Sequence, residues 1–170
     1  MEDSPPEDHN WSEAVDIGEA PDPVQALLDY WKSKCRDGGF PAKADIQPWE
    51  ISRFLGRICI LEITSDPMDF IYRLDGTNIA SATNENLTGQ SILNAEPTDF
   101  ARSAFNDLKA TVDRAEPTLW LVRMRARNRK YDYLRLVLPL AGAQGQFNYL
   151  LTYSHRFGAR DGNFPDYDLN

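Results

Sequence analysis

Trp120-Leu121-Val122-Arg123-Met124-Arg125-Ala126-Arg127 alternates apolar and charged residues over most of its length. Side chains along a strand point to opposite faces in turn. The stretch therefore predicts a strand with Trp120, Val122, Met124 and Ala126 on one face and Arg123, Arg125 and Arg127 on the other. The apolar face calls for a core. The arginine face reads in two ways: a solvated outer surface countered by acidic residues, or a docking surface for a phosphate or an acidic partner. The next two runs keep the same rhythm. Leu134, Leu136 and Leu138 share one face and Tyr131, Tyr133, Arg135 and Val137 the other, and Phe147, Tyr149, Leu151 and Tyr153 then follow in phase. Short links at 128–130 and 141–146 make strands 118–127, 131–140 and 147–155 antiparallel neighbours.

Upstream the period changes to that of a helix. Phe100, Ala101, Ala104, Phe105, Leu108 and Val112 keep one face of 98–114 apolar. Before it, 57–64 and 69–75 are two β-rich runs joined by Ser65-Asp66-Pro67-Met68, a hairpin signal. Pro48 opens a short helix over 49–55. Val24, Leu27, Leu28, Trp31 and Cys35 form one apolar stripe at helical spacing, with Pro23 at its start and Asp37-Gly38-Gly39 past its end. Two strands, a helical middle and three strands give an α+β layer of helices on an antiparallel sheet. An aromatic-rich sheet facing helices holds either a small ligand or a filled core.

The charge is unevenly placed. The chain of 170 residues has a formal net charge of -8, from 18 basic and 26 acidic residues. Glu2, Asp3, Glu7, Asp8, Glu13, Asp16, Glu19 and Asp22 lie within 1–23, which holds no Lys or Arg, so the rest is balanced. With Pro5, Pro6, Pro21 and Pro23, this segment predicts a disordered acidic leader. The folded domain is expected over 24–156, with a flexible tail at 157–170. A neutral body gives no electrostatic drive toward nucleic acid or anionic lipid. No run approaches the ~18 uncharged apolar residues of a membrane span, no signal peptide opens the chain, and a cytoplasmic location is expected.

Few residues could carry chemistry. The histidines are His9 and His155, no cluster has metal-ligand spacing, and no nucleotide-binding glycine loop occurs. Glu62, inside an apolar strand, and Asp75, after the next one, are the candidate general bases of an α+β pocket enzyme of ketosteroid-isomerase or dehydratase type. Against that, Glu62 has Arg73 on the neighbouring strand as a plain ion-pair partner.

Leu28-Asp29-Tyr30-Trp31, Gly39-Phe40-Pro41-Ala42-Lys43-Ala44-Asp45-Ile46-Gln47-Pro48, Phe70-Ile71-Tyr72-Arg73-Leu74-Asp75-Gly76-Thr77-Asn78-Ile79 and Leu87-Thr88-Gly89-Gln90 form an ordered set. Together they resemble the PAS-like sensory family widespread in alphaproteobacteria, over roughly 26–155. The resemblance implies a PAS fold, with a five-stranded antiparallel sheet of order 2-1-5-4-3, helices over one face and an N-terminal amphipathic helix. It also implies a single-domain sensory or regulatory protein without enzymatic activity, acting through protein contacts on a histidine-kinase pathway, with a small ligand in the PAS pocket as an option. Tyr72, Asn78, Trp120 and Tyr149 are the candidate pocket residues. Arg73, Gly76 and Thr77 read as structural, with Gly76 permitting an unusual turn and Thr77 capping the next helical turn. Leu27, Leu28 and Trp31 are candidates for a homodimer contact through the N-terminal helix, and Arg123, Arg125 and Arg127 for partner docking. No N-C-R-F-L-Q cysteine helix is present, and 77–116 lacks histidine. Neither a flavin adduct nor His-ligated haem is expected. No kinase, cyclase or helix-turn-helix module follows, so output is expected to pass through another polypeptide.

Overall fold

Residues 10–76, 86–126 and 129–156 are described by a computed structural model, without the side chains of 125, 126 and 129–131. Six antiparallel strands form one sheet: β1 (Trp11–Ala14), β2 (Ile58–Thr64), β3 (Asp69–Leu74), β4 (Thr118–Ala126), β5 (Arg129–Ala141) and β6 (Phe147–Arg156). Their order is β1-β4-β5-β6-β2-β3. Counted from Ile58, the last five strands follow the expected order 2-1-5-4-3. The sixth strand comes from the presumed disordered leader, which corrects that expectation for Trp11–Ala14.

The reason lies outside those four residues. Their sequence has no strong strand pattern, but β4 offers a row of unpaired backbone groups at the sheet edge. Trp11 pairs with Arg123 and Ala14 with Trp120, and Val15 N–H then donates to the Leu119 carbonyl at 2.9 Å. The Arg123 guanidinium lies 5.3 Å from the Trp11 ring. On the other side of β1, Ser12 reaches α2 (Thr98–Arg114), donating to Asp107 at 2.8 Å. Just before the strand, Asn10 donates to both carboxylate oxygens of Asp99 in the first turn of α2.

The helices cover both faces rather than one, a second correction. α1 (Asp22–Lys34) and the 3-10 segment Pro48–Arg57 lie over Leu134, Leu136, Leu138, Leu140, Leu151 and Tyr153. α2 lies over Leu61, Phe70, Trp120, Val122, Val137 and Leu150 on the opposite face. The central strands are buried on both sides, as neighbouring Leu150 and Leu151 show at 0% and 1% exposure. A strand apolar on both faces needs two covering layers. Each fully buried leucine contributes about 1.5–3 kcal/mol of transfer free energy.

Leu27, Leu28 and Trp31 of α1 are 1%, 3% and 6% exposed. They are spent on the sheet, so the dimer contact expected through them is not available. The Trp31 indole donates to the Pro139 carbonyl at 2.7 Å, and Ala141 N–H donates to the Pro41 carbonyl at 2.8 Å. Both acceptor and donor lie past Val137, where pairing with β4 ends. Pro139 therefore sits in β5 where no β4 neighbour asks for its missing N–H. On the Pro48–Arg57 segment, Trp49 is 74% exposed.

Gly76 stands where two backbone segments meet. An added Cβ would stand 2.5 Å from the Gly56 carbonyl oxygen and 2.8 Å from that of Ile58. The glycine allows two backbones to approach. Thr77, Asn78, Arg127, the Arg125 side chain and tail 157–170 lie outside the described residues.

Candidate functional site

Polar side chains are concentrated between the sheet and α2. Arg135 is placed there by strand alternation, sharing a face with Tyr133 and Val137 as the sequence pattern requires. Asp107 is placed there by helical spacing, three residues after Ala104 on the buried face of α2. The two meet at 3.0 Å, at 6% and 4% exposure. The second terminal nitrogen of Arg135 donates to the Tyr133 hydroxyl at 2.8 Å. The guanidinium carbon lies 5.7 Å from the Phe100 ring centre and 5.6 Å from that of Tyr133.

A directed chain of hydrogen bonds surrounds the pair. Thr111 gives its hydroxyl proton to the Asp107 backbone carbonyl at 2.9 Å, so it accepts from Thr118 at 2.7 Å. Thr118 in turn accepts from the Trp120 indole at 2.8 Å. On the other side Ser12 donates to the Asp107 carboxylate and so accepts from Ser103 at 2.9 Å. Burial pushes the Asp107 carboxyl up from its ordinary value, against the pull of Arg135 and the Ser12 bond. Burial also works against the Arg135 charge, but the oxygens of Tyr133, Asp107 and Tyr72 outweigh it and raise its pKa.

A second polar group lies on the same face toward β2 and β3. The Cys59 thiol donates to Asp75 at 3.4 Å, and the other Asp75 oxygen takes the Leu87 backbone N–H at 3.1 Å. Burial, reinforced by the Asp75 charge, pushes the Cys59 thiol up to about 12, so it stays protonated. Burial likewise raises Tyr72 well above the ordinary phenol, with Cys59 adding to the rise and Arg135 opposing it. Tyr72 thus links the two groups electrostatically.

Tyr72 and Trp120 of the expected pocket set share this face. Tyr149 does not: it packs with the α1 layer, where Lys43 lies 5.0 Å from its ring. Its register partner Glu62 points the same way and pairs with Arg73 at 2.6 Å, both partly exposed. Glu62 therefore sits on the face opposite α2, which removes it as a pocket base. Arg123 is drawn into a pair with Asp132, its register partner on β5, and over Trp11, so it does not stand as a bare docking cation. Arg135 and Asp107 were missed as site residues. Their signal was available, because each is a charged residue set in an otherwise apolar face. Among the described residues no group of three or more His, Cys, Asp or Glu could hold a metal ion, and no helix is long and apolar enough to cross a membrane.

The sequence profile of the PAS domain family matches residues 20–153. Among solved structures, one described as an RNA-binding light-oxygen-voltage receptor is similar, with a TM-score of 0.50 at 13% identity over 91% of this chain. The chain spans 40% of that receptor's length, and the likeness is one of fold. No curated protein sequence matches.

Proposed function

The chain belongs to the PAS domain family, a sensory and signalling family, and we propose on that premise that it senses a small molecule and reports it to a protein partner. The site of sensing is the sheet face under α2. One observation carries this reading: Arg135, Asp107, Tyr133, Tyr72, Cys59 and Asp75 gather between two layers that are otherwise apolar. A buried polar group of this kind is a common way to give an apolar site its specificity. The chain acts without catalysing a reaction, in the cytoplasm. Its output is protein contact, with a histidine kinase as the partner and neither nucleic acid nor membrane involved. Neither a flavin adduct nor histidine-ligated haem belongs to the proposal: Cys59 lies within strand β2, Cys35 follows α1, and 77–116 contains no histidine.

Native mass spectrometry of the full chain, beside its denatured spectrum, tests the sensing step. A retained small-molecule mass, lost when Arg135 is replaced by methionine in a variant that still folds, is the expected result. Bare chain from every source, including fresh lysate, opposes small-molecule sensing. For the output, the chain is crosslinked in its source cells and the captured kinase is assayed for autophosphorylation with and without it. An unchanged rate counts against the kinase.

A further inference from the structure

A guanidinium carries five N–H donors. Among the described residues Arg135 gives one to Asp107 and one to Tyr133, and its three others meet no protein acceptor. Yet the residue is only 6% exposed. Buried donors are satisfied in the great majority of cases, and each one left over costs about 1–3 kcal/mol. Three on a single side chain call for an acceptor that the described residues do not supply.

Charge selects what kind. Asp107 already matches the Arg135 charge, and Asp75 is a second buried carboxyl group on the same face, 6% exposed. A further anion would add uncompensated negative charge in a poorly solvated layer. A carbonyl oxygen brings two lone pairs and no charge. The rings of Phe100 and Tyr133 beside the guanidinium, with Phe70 and Phe105 packed at 5.2 Å nearby in the same layer, suit a flat apolar body attached to it. Tyr72 is a further hydroxyl on this face, close enough to Arg135 to feel its charge.

We infer that the sheet face under α2 takes a small, uncharged carbonyl compound, received by the remaining N–H groups of Arg135 and by the Tyr72 hydroxyl. This rests on the sensory reading above and names the ligand chemistry of that same site.

The test uses benzamide, benzoate and toluene as probes on the full chain labelled with nitrogen-15, following the Arg135 Nε–H signal. Benzamide moves that signal saturably, toluene leaves it in place, and benzoate binds about tenfold more weakly or not at all. Tyr72→Phe, with its backbone amide spectrum otherwise unchanged, weakens benzamide about fivefold, the worth of one hydrogen bond. Tighter binding of benzoate overturns the uncharged assignment, and equal binding of toluene overturns the polar one. No saturable shift with any probe, with Arg135 Nε–H cross-relaxing only with water, overturns the inference. A different small molecule retained in the native mass spectrum would then leave the sensory reading standing, and a bare chain would remove both.

Discussion

Alanine in place of Gly76 would force a methyl group to 2.5 Å from the Gly56 carbonyl oxygen, against backbone on both sides. Backbone cannot swing away as a side-chain tip can, so the expected loss is about 2 kcal/mol or more, read as a lower urea midpoint at unchanged slope. His155 makes a different kind of prediction. Burial lowers its pKa below the ordinary 6.5, helped by the neighbouring Arg57 charge, so the folded chain resists the proton that the unfolded chain accepts. Its contribution is complete above 6.5 and falls as pH drops through that value toward the folded pKa. His155→Gln should therefore lose less stability than the parent between pH 7.5 and 5.5, and equal losses would refute the assignment. The two thiols should separate as sharply. Cys59 is buried and donates to Asp75, whereas Cys35 is partly exposed at the end of α1. At pH 8 an aromatic disulfide reagent should titrate Cys35 alone in the native chain, and Cys59 only on unfolding.

At the level of elements, Trp31→Phe isolates how α1 is fastened. It keeps an aromatic ring on the stripe but removes the donor to the Pro139 carbonyl, at an expected cost of about 1–2 kcal/mol in denaturant unfolding. The stripe itself was plain in the sequence, as were all five strands from Ile58 and the helix over 98–114, because each carries a local period that one face of burial imposes. β1 was not plain. Trp11–Ala14 is a strand because β4 has an open edge beside it, which is a fact about a segment more than a hundred residues away. The face assignment of Tyr149 failed for a related reason. Alternation says which residues of β6 share a side but not which side α2 covers. The Arg135–Asp107 pair joins residues 28 apart on different elements, so the sequence marks two misplaced charges without marking them as partners.

For the molecule as a whole, the sheet is the shared wall of two cores, with Leu150 serving one and Leu151 the other. Neither layer can leave without exposing strands that the other still needs. Unfolding is therefore expected in one transition, with far-ultraviolet and near-ultraviolet dichroism giving the same midpoint; separate midpoints would mean that α1 or α2 lifts off alone. The four tryptophans are spread across this architecture. Trp11 is at the β1 edge against Arg123, Trp31 on the buried face of α1, Trp120 under α2, and Trp49 out in water. The chain thus comes equipped with its own optical reporters. Variants keeping one indole each would resolve by emission colour and quenching which layer loosens first, with Trp49 as the built-in solvent reference.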